Sequence, residues 1–360
     1  MEFLSNTLRG NGLPDESGMA RGELCTDPTA ARALFAKCPV ATVSPLLSAA
    51  DLARHMGVAD IHFKDERGRL GLGSFKSLGA AFAIAKAADK LMGKNPNLTF
   101  DTALSGRVYV CASAGNHGLS MAAGARIFGA DAVVYLSETV PEEFVGRLTS
   151  KGATVVRAGA NYEASMAAAL KAAEENGWEL LSDSSWKGYT ELPRDVMEGY
   201  LIMGAEVADQ LSLPPTHIFL QAGVGGLAAA CTAVARYYWG DAPKVFVVEP
   251  AYAPAIFDSI AASQAVTTKG PMSIMGRLDC KEPSHLALKY LAKEAEGFIT
   301  ISEAEAIAAM EDLKAQGLAA SPSAVAGYAG LYCAGDKHHE LGLTPDSRIL
   351  IYLSEGPVDE

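Results

Sequence analysis

Short runs rich in Val, Ile, Leu and Tyr recur along the chain, near 108–112, 132–136, 153–157, 178–182, 216–220, 244–248 and 348–353. Apolar runs of that length, bounded by turn residues, read as strands. Between them the polar and apolar positions spread over longer stretches, and helices are expected over 117–128, 141–151, 161–176, 194–211 and 224–238. Strands alternating with helices imply parallel sheets, because a parallel pair needs a crossover that a helix supplies. Further on, Ser302 and Glu305 have the spacing of a capping box ahead of an alanine-rich stretch, with Gly317 as its stop. Residues 1–40, with Gly10-Asn11-Gly12-Leu13-Pro14, read as an arm or loop. No internal repeat or low-complexity linker interrupts the pattern.

Composition narrows the classes. A chain of 360 residues, 49% hydrophobic, can build about two domains with large cores. A formal net charge of −12 argues against nucleic acid or an anionic membrane surface as partner. No apolar stretch reaches the ~18 residues of a spanning helix. The start, Met1-Glu2-Phe3-Leu4-Ser5, lacks the basic-then-apolar run of a signal peptide. Six cysteines lie scattered with no C-x-x-C pair, the usage of a reducing compartment and without zinc spacing. A cytoplasmic enzyme with no metal site is the expectation.

Three segments carry candidate chemistry. Gly71-Leu72-Gly73-Ser74-Phe75-Lys76 is a glycine- and serine-rich turn that brings one lysine to the start of an alanine-rich stretch. Burial and the positive end of a helix would lower the pKa of that amine, and a neutral amine forms a Schiff base with an aldehyde. Ser113-Ala114-Gly115-Asn116 follows a strand and opens a helix, so its backbone N–H groups and polar side chains suit a carboxylate and a ring oxygen. Gly223-Val224-Gly225-Gly226 also joins a strand to a helix, and its glycines allow several N–H groups to surround a phosphate. Gly223, Gly225 and Ala228 also fit a dinucleotide fingerprint, with Glu249 at the end of the next strand as a ribose-binding acid. That NAD reading leaves Lys76 and Asn116 unexplained. One pyridoxal phosphate carrying an amino acid would use all three segments.

On these segments the chain resembles the fold type II pyridoxal-phosphate enzymes, which include the serine and threonine dehydratases, cysteine synthase and the tryptophan synthase β chain. Further blocks resemble one branch, the diaminopropionate ammonia-lyases. They are Phe63-Lys64-Asp65-Glu66, Asn161-Tyr162-Glu163, Asp183-Ser184-Ser185-Trp186-Lys187-Gly188-Tyr189-Thr190, Met197-Glu198-Gly199-Tyr200, Ser273-Ile274-Met275, Cys280-Lys281-Glu282-Pro283 and Ser354-Glu355-Gly356. The resemblance spans most of the chain from about residue 60 onward.

The resemblance implies an α/β fold of two open parallel-sheet domains with the active site in the cleft between them. Residues 1–77 plus 194–360 would form the large domain and 78–193 a small mobile one. It implies Lys76 as the lysine that holds the cofactor and Ser354 as partner of the pyridine nitrogen. Asn116 would lie at the ring oxygen, with Gly223, Val224, Gly225 and Gly226 at the phosphate. Ser113, Ala114, Gly115 and Asn116 would receive the substrate carboxylate. Asp183 would handle the leaving β-amino group of the L-isomer, with Tyr189 lining the substrate side. Taken without the resemblance, Asp183 could equally cap the turn that follows it. His117 is expected to shape its loop rather than act as a base. A homodimer is the family expectation.

One position departs from the pattern. Ala114 stands where the ammonia-lyases carry an aspartate that serves as base for the D-isomer. An alanine moves no proton, so the L-isomer of 2,3-diaminopropionate is the expected substrate, giving pyruvate and ammonia. The change leaves open a 3-hydroxy amino acid of the serine, threonine or 3-hydroxyaspartate type, and a β-replacement synthase behind that.

Overall fold

The computed structural model describes residues 1–14 and 18–357. Asp359 and Glu360 lie outside them. The strands are β1 (Glu2–Ser5), β2 (Leu46–Ser48), β3 (Asp60–Asp65), β4 (Val108–Cys111), β5 (Asp131–Leu136) and β6 (Thr154–Arg157), followed by β7 (Glu179–Leu180), β8 (His217–Gln221), β9 (Lys244–Pro250), β10 (Gly297–Ile301) and β11 (Arg348–Leu353). They form two sheets, a seven-stranded one ordered β1-β10-β9-β8-β11-β3-β2 and a four-stranded one ordered β6-β5-β4-β7. All pairings are parallel except at the two edges of the larger sheet, where β1 runs antiparallel to β10 and β2 antiparallel to β3.

The central strands β8, β10 and nearly all of β9 and β11 are buried along their length, which is why their sequences are continuous apolar runs. One apolar core takes residues from both sheets, Tyr109 and Val134 of the smaller with Ile218, Val247 and Leu350 of the larger. A second covers the other face of the larger sheet, and a third the outer face of the smaller. The capping box forms as read: Ser302 and Glu305 bond reciprocally at the head of the helix Glu303–Ala315, and Gly317 follows with φ +74°.

The expected arm over residues 1–40 is a correction. Its start pairs as β1 on the sheet edge, with the Met1 amino group 2.5 Å from Glu305, and Thr29–Phe35 is a helix. The first is a four-residue edge strand and the second a seven-residue helix. Each is too short to show a period of its own.

Beneath the turn that follows β3 lies a buried charge network. The Arg69 guanidinium bonds Glu66 at 2.7 Å and Glu206 at 2.6 Å, and the Lys64 amine meets Glu206 at 2.6 Å and the Ser44 carbonyl at 2.8 Å. Burial pulls the Lys64 amine down. For Arg69 the two carboxylates outweigh burial and hold the guanidinium charged. Unpaired charges here would each carry a desolvation penalty of several kcal/mol. The network therefore locks the chain around residues 64–69 to the helix Glu191–Gln210.

Candidate active site

The segments singled out in the sequence converge beyond the carboxyl ends of the strands. Lys76 follows β3, Ser113–Asn116 follow β4, Asp183 follows β7, the glycine loop follows β8 and Ser354 follows β11. In open parallel sheets that edge is where ligands bind.

Lys76 sits in a single 3-10 turn, Phe75–Leu78, rather than at the head of the helix Ala80–Met92 that follows. The turn is pinned from the larger sheet, because the Phe75 N–H donates to the Ser354 carbonyl at 2.9 Å. Its back packs on Gly199, where an added Cβ would stand 1.9 Å from the Leu78 carbonyl oxygen and 2.7 Å from Phe82. Gly199→Ala is therefore expected to displace the lysine turn and destabilise the fold by about 1–3 kcal/mol. Denaturant unfolding of the variant checks this; unchanged stability would rule out the close approach.

The Lys76 amine pairs with the Asp183 carboxylate across the cleft. This corrects the expectation of a lowered amine pKa. Burial pulls the amine down, but the carboxylate outweighs it and the net direction is up. Burial opposes the Asp183 charge as well, yet the Lys76 ammonium and His117 hold that carboxyl well below the usual range. Asp183 is not a cap: Ser182 takes that role, its hydroxyl oxygen accepting from the Ser184 N–H at 3.2 Å. His117 is buried with Nε2 2.7 Å from the Leu181 carbonyl oxygen, and burial lowers its pKa, so it shapes the loop as expected.

The turn after β4 faces two groups to which the sequence reading assigned no role. Asn116 donates its side-chain amide to Glu355, and Arg277 approaches the same carboxylate oxygen at 3.6 Å. The other Glu355 oxygen accepts from Ser321 at 2.6 Å. Asn116 is the first residue of its helix rather than its cap, which is Gly115.

The glycine loop turns through Gly225, with φ +99°, into the helix Gly226–Trp239. Among the described residues, the N–H groups of Gly225, Gly226 and Leu227 have no hydrogen-bond acceptor. A Cβ at Gly225 would meet Ile256 at 2.8 Å, and one at Gly223 would meet the Cys280 sulfur at 3.0 Å. Only glycine fits this close path. The Cys280 thiol stands between the loop and the Lys76–Asp183 pair, and burial pushes it up to about 12.

The dinucleotide reading fails at Glu249. Its carboxylate accepts from the N–H groups of Ile256 at 2.8 Å and Phe257 at 2.7 Å, and the side chain is wholly buried, with burial pushing its pKa up to about 8. It caps the next helix and leaves nothing for a ribose.

Ser354 is buried at the end of β11. Tyr189 stacks on Trp186, and its hydroxyl donates to the Leu180 carbonyl at 2.6 Å and accepts from the Ser182 N–H at 3.0 Å. That phenol braces the Asp183 loop through two backbone bonds. Tyr200 went unassigned in the sequence. It packs against Gly79 and lies close enough to Lys76 to influence its charge, and its hydroxyl has no partner among the described residues. Tyr200, Cys280 and Glu355 all fall inside the blocks that carry the family resemblance, and that was the signal available for them.

These residues fit pyridoxal phosphate. A half-buried amine can take the aldehyde, free N–H groups at a helix start can take the phosphate, and glycines keep the path clear. The comparison with known families agrees: the pyridoxal-phosphate dependent enzyme family matches residues 39–355, and the chain belongs to it. It is a fold type II enzyme that uses this cofactor.

Within that family the chain is 30% identical over 338 residues to the diaminopropionate ammonia-lyase of Escherichia coli strain K12, covering 88% of this chain and 85% of the relative. It is 33% identical over 291 residues to the Salmonella typhimurium strain LT2 enzyme of the same name, covering 75% and 71%. The crystal structure of the E. coli ammonia-lyase in complex with D-serine superposes with a TM-score of 0.87 at 26% identity, covering 99% of this chain and 93% of that one. The chain is thus a member of the diaminopropionate ammonia-lyase family.

Proposed function

We propose that this enzyme catalyses α,β-elimination from L-2,3-diaminopropionate, releasing pyruvate and ammonia. The observation that carries the reading is the pairing of Lys76, which follows β3 of the larger sheet, with Asp183, which follows β7 of the smaller. Pyridoxal phosphate, when bound, supplies the electron sink that makes a Cα proton removable. Lys76 would hold the cofactor and then, as a free amine, take the Cα proton. The backbone of Gly223, Val224, Gly225 and Gly226 would hold the phosphate, Asn116 the ring oxygen and Ser354 the pyridine nitrogen. A serine hydroxyl does not fully protonate that nitrogen, which weakens the sink and favours elimination over transamination. Ser113, Ala114, Gly115 and Asn116 would receive the substrate carboxylate. Asp183 would face the β-amino group and hold it as the ammonium, which leaves as neutral ammonia with the C–N bond pair.

Residues 78–193 would form the small mobile domain, and 1–77 plus 194–360 the large one. Closure on a bound carboxylate would exclude water. A cytoplasmic homodimer completes the proposal. Among the described residues no helix is long and apolar enough to cross a membrane.

The test is a visible spectrum of the purified protein before and after L-2,3-diaminopropionate, with pyruvate and ammonia assayed together. A coloured protein that forms both supports the reading; one that forms neither rejects this substrate.

Ala114 favours a second reading at the same site, elimination of hydroxide from a 3-hydroxy amino acid, because the turn lacks the family's aspartate. The same alanine predicts stereochemistry. Ammonia release from D-2,3-diaminopropionate is expected to be at least about 100-fold slower than from the L-isomer, the contribution of one missing acid–base group. Equal rates would refute this.

A further inference from the structure

Arg277 sets its guanidinium against the turn Ser113–Asn116. Its guanidinium Nη1 lies 2.9 Å from where a Cβ of Gly115 would stand, with Cζ at 3.4 Å. It can approach that backbone so closely only because residue 115 has no side chain. The same arginine is fixed at its root: its N–H donates to Ser323 at 3.0 Å, and its carbonyl oxygen lies 3.2 Å from where a Cβ of Gly223 would stand. Residue 277 therefore touches the glycine loop with its backbone and the Asn116 turn with its side chain.

A carboxylate already occupies this corner. One oxygen of Glu355 accepts from Asn116 and faces Arg277 at 3.6 Å. An amide and a guanidinium converging on one carboxylate oxygen is the donor set that a substrate carboxylate would need. At 3.6 Å the arginine makes an ion pair but no close hydrogen bond, so its donors remain available.

The cleft is thus polar from end to end. Asp183 places a negative charge beside Lys76, and Arg277 places a positive charge over Gly115. A β-amino amino acid has the opposite arrangement, with an ammonium on the β-carbon and a carboxylate on the α-carbon. We infer that Arg277 is a specificity-determining residue that binds the substrate α-carboxylate at the Gly115 turn, drawing its guanidinium from Glu355 onto the ligand. This rests on the elimination reading for the substrate's identity, but the role of Arg277 can be measured without turnover.

The experiment uses the cofactor-loaded enzyme and three ligands with no β leaving group, L-alanine, L-alaninamide and L-aspartate, titrated by the change in visible absorbance. Arg277→Met is expected to weaken L-alanine binding about 10- to 100-fold, the size of one charge-assisted hydrogen bond. Binding of the amide, which carries no carboxylate, should change less than about twofold. Arg277→Lys should recover part of the loss, because a point charge replaces the flat fork. Gly115→Ala leaves φ and ψ in the extended region and pushes only the end of the flexible Arg277 side chain aside. It should fold normally and reproduce the L-alanine defect, which keeps the test open if Arg277→Met fails to fold.

Unchanged L-alanine binding in a folded Arg277→Met or Gly115→Ala protein overturns the inference. So does a defect for L-aspartate alone, since the arginine would then read a second carboxylate on the side chain. If the wild type makes no pyruvate from L-2,3-diaminopropionate, the elimination reading fails, and the alanine-to-alaninamide comparison still decides for or against Arg277.

Discussion

Replacing Lys76 by alanine is expected to lower kcat for pyruvate formation by about 10⁴-fold, the upper range for removing a positioned acid–base group, and the proposed covalent anchor of the cofactor goes with it. Several neighbours lean on this one amine. Burial and Asp183 compete over its charge, and Tyr200 and Cys280 lie within electrostatic reach. The variant should fold, because the turn is held by backbone bonds from Phe75 to Ser354 and from Gly79 to Lys76, none of which uses the amine. It should also bind pyridoxal phosphate without the visible band of the covalently held form. A folded Lys76→Ala protein with both the band and turnover would remove Lys76 from the chemistry.

Asp183→Asn is expected to reduce turnover by about 10²- to 10³-fold and to change the pH dependence in a direction that can be derived. Asp183 holds the Lys76 pKa up, so without it burial dominates and the amine loses its proton at lower pH. The stability of the cofactor-free protein should follow. A raised amine contributes stability that is complete below its unfolded value of ~10.4 and is lost as pH rises through the folded value. A depressed carboxyl contributes stability that is complete above ~3.9 and is lost as pH falls through the folded value. The wild type should therefore weaken at both extremes through this pair, and the Asn variant should show neither contribution. Denaturant midpoints measured in acid, at neutrality and in alkali decide it. Parallel wild-type and variant curves would mean that the pair is not formed.

Of the central strands, β8, β9 and β11 were legible because they are buried on both faces, whereas Gly297–Ile301, buried as fully, was not read as a strand. Lys244–Pro250 and Arg348–Leu353 each carry a run of branched apolar residues that local context alone reads as strand. The edge strand Leu46–Ser48 has three residues, and Asp60–Asp65 carries charge into the core. Lys64 is tolerated there because Glu206, 142 positions away (206 minus 64), pairs with it and the Ser44 carbonyl accepts from it, and no local pattern contains those partners. The site followed the same rule. Lys76 and the glycine loop stood out as local turns, whereas the sign of the Lys76 shift was misjudged because it depends on Asp183, 107 residues further on. Glu355 and Arg277 lay within or beside recognised blocks, but the meeting of their side chains at Gly115 is a property of the tertiary fold.

The place of β11 within the larger sheet has a consequence for the chain during synthesis. It lies between β3 and β8, so two strands made early must wait for residues 348–353 before they join one sheet. The Lys76 turn waits as well, since Phe75 bonds to Ser354, just past that strand. On the ribosome the helices around the smaller sheet can form as they emerge, while the gap in the larger sheet stays open until residues 348–353 have been made. Long-range parallel pairing of this kind folds slowly and exposes unpaired edges meanwhile. The nascent chain would therefore gain the geometry of its Lys76 turn in one late step, and a ribosome stalled short of residue 348 would carry Lys76, Asn116, Asp183 and the glycine loop with neither Ser354 nor a closed sheet to bring them together.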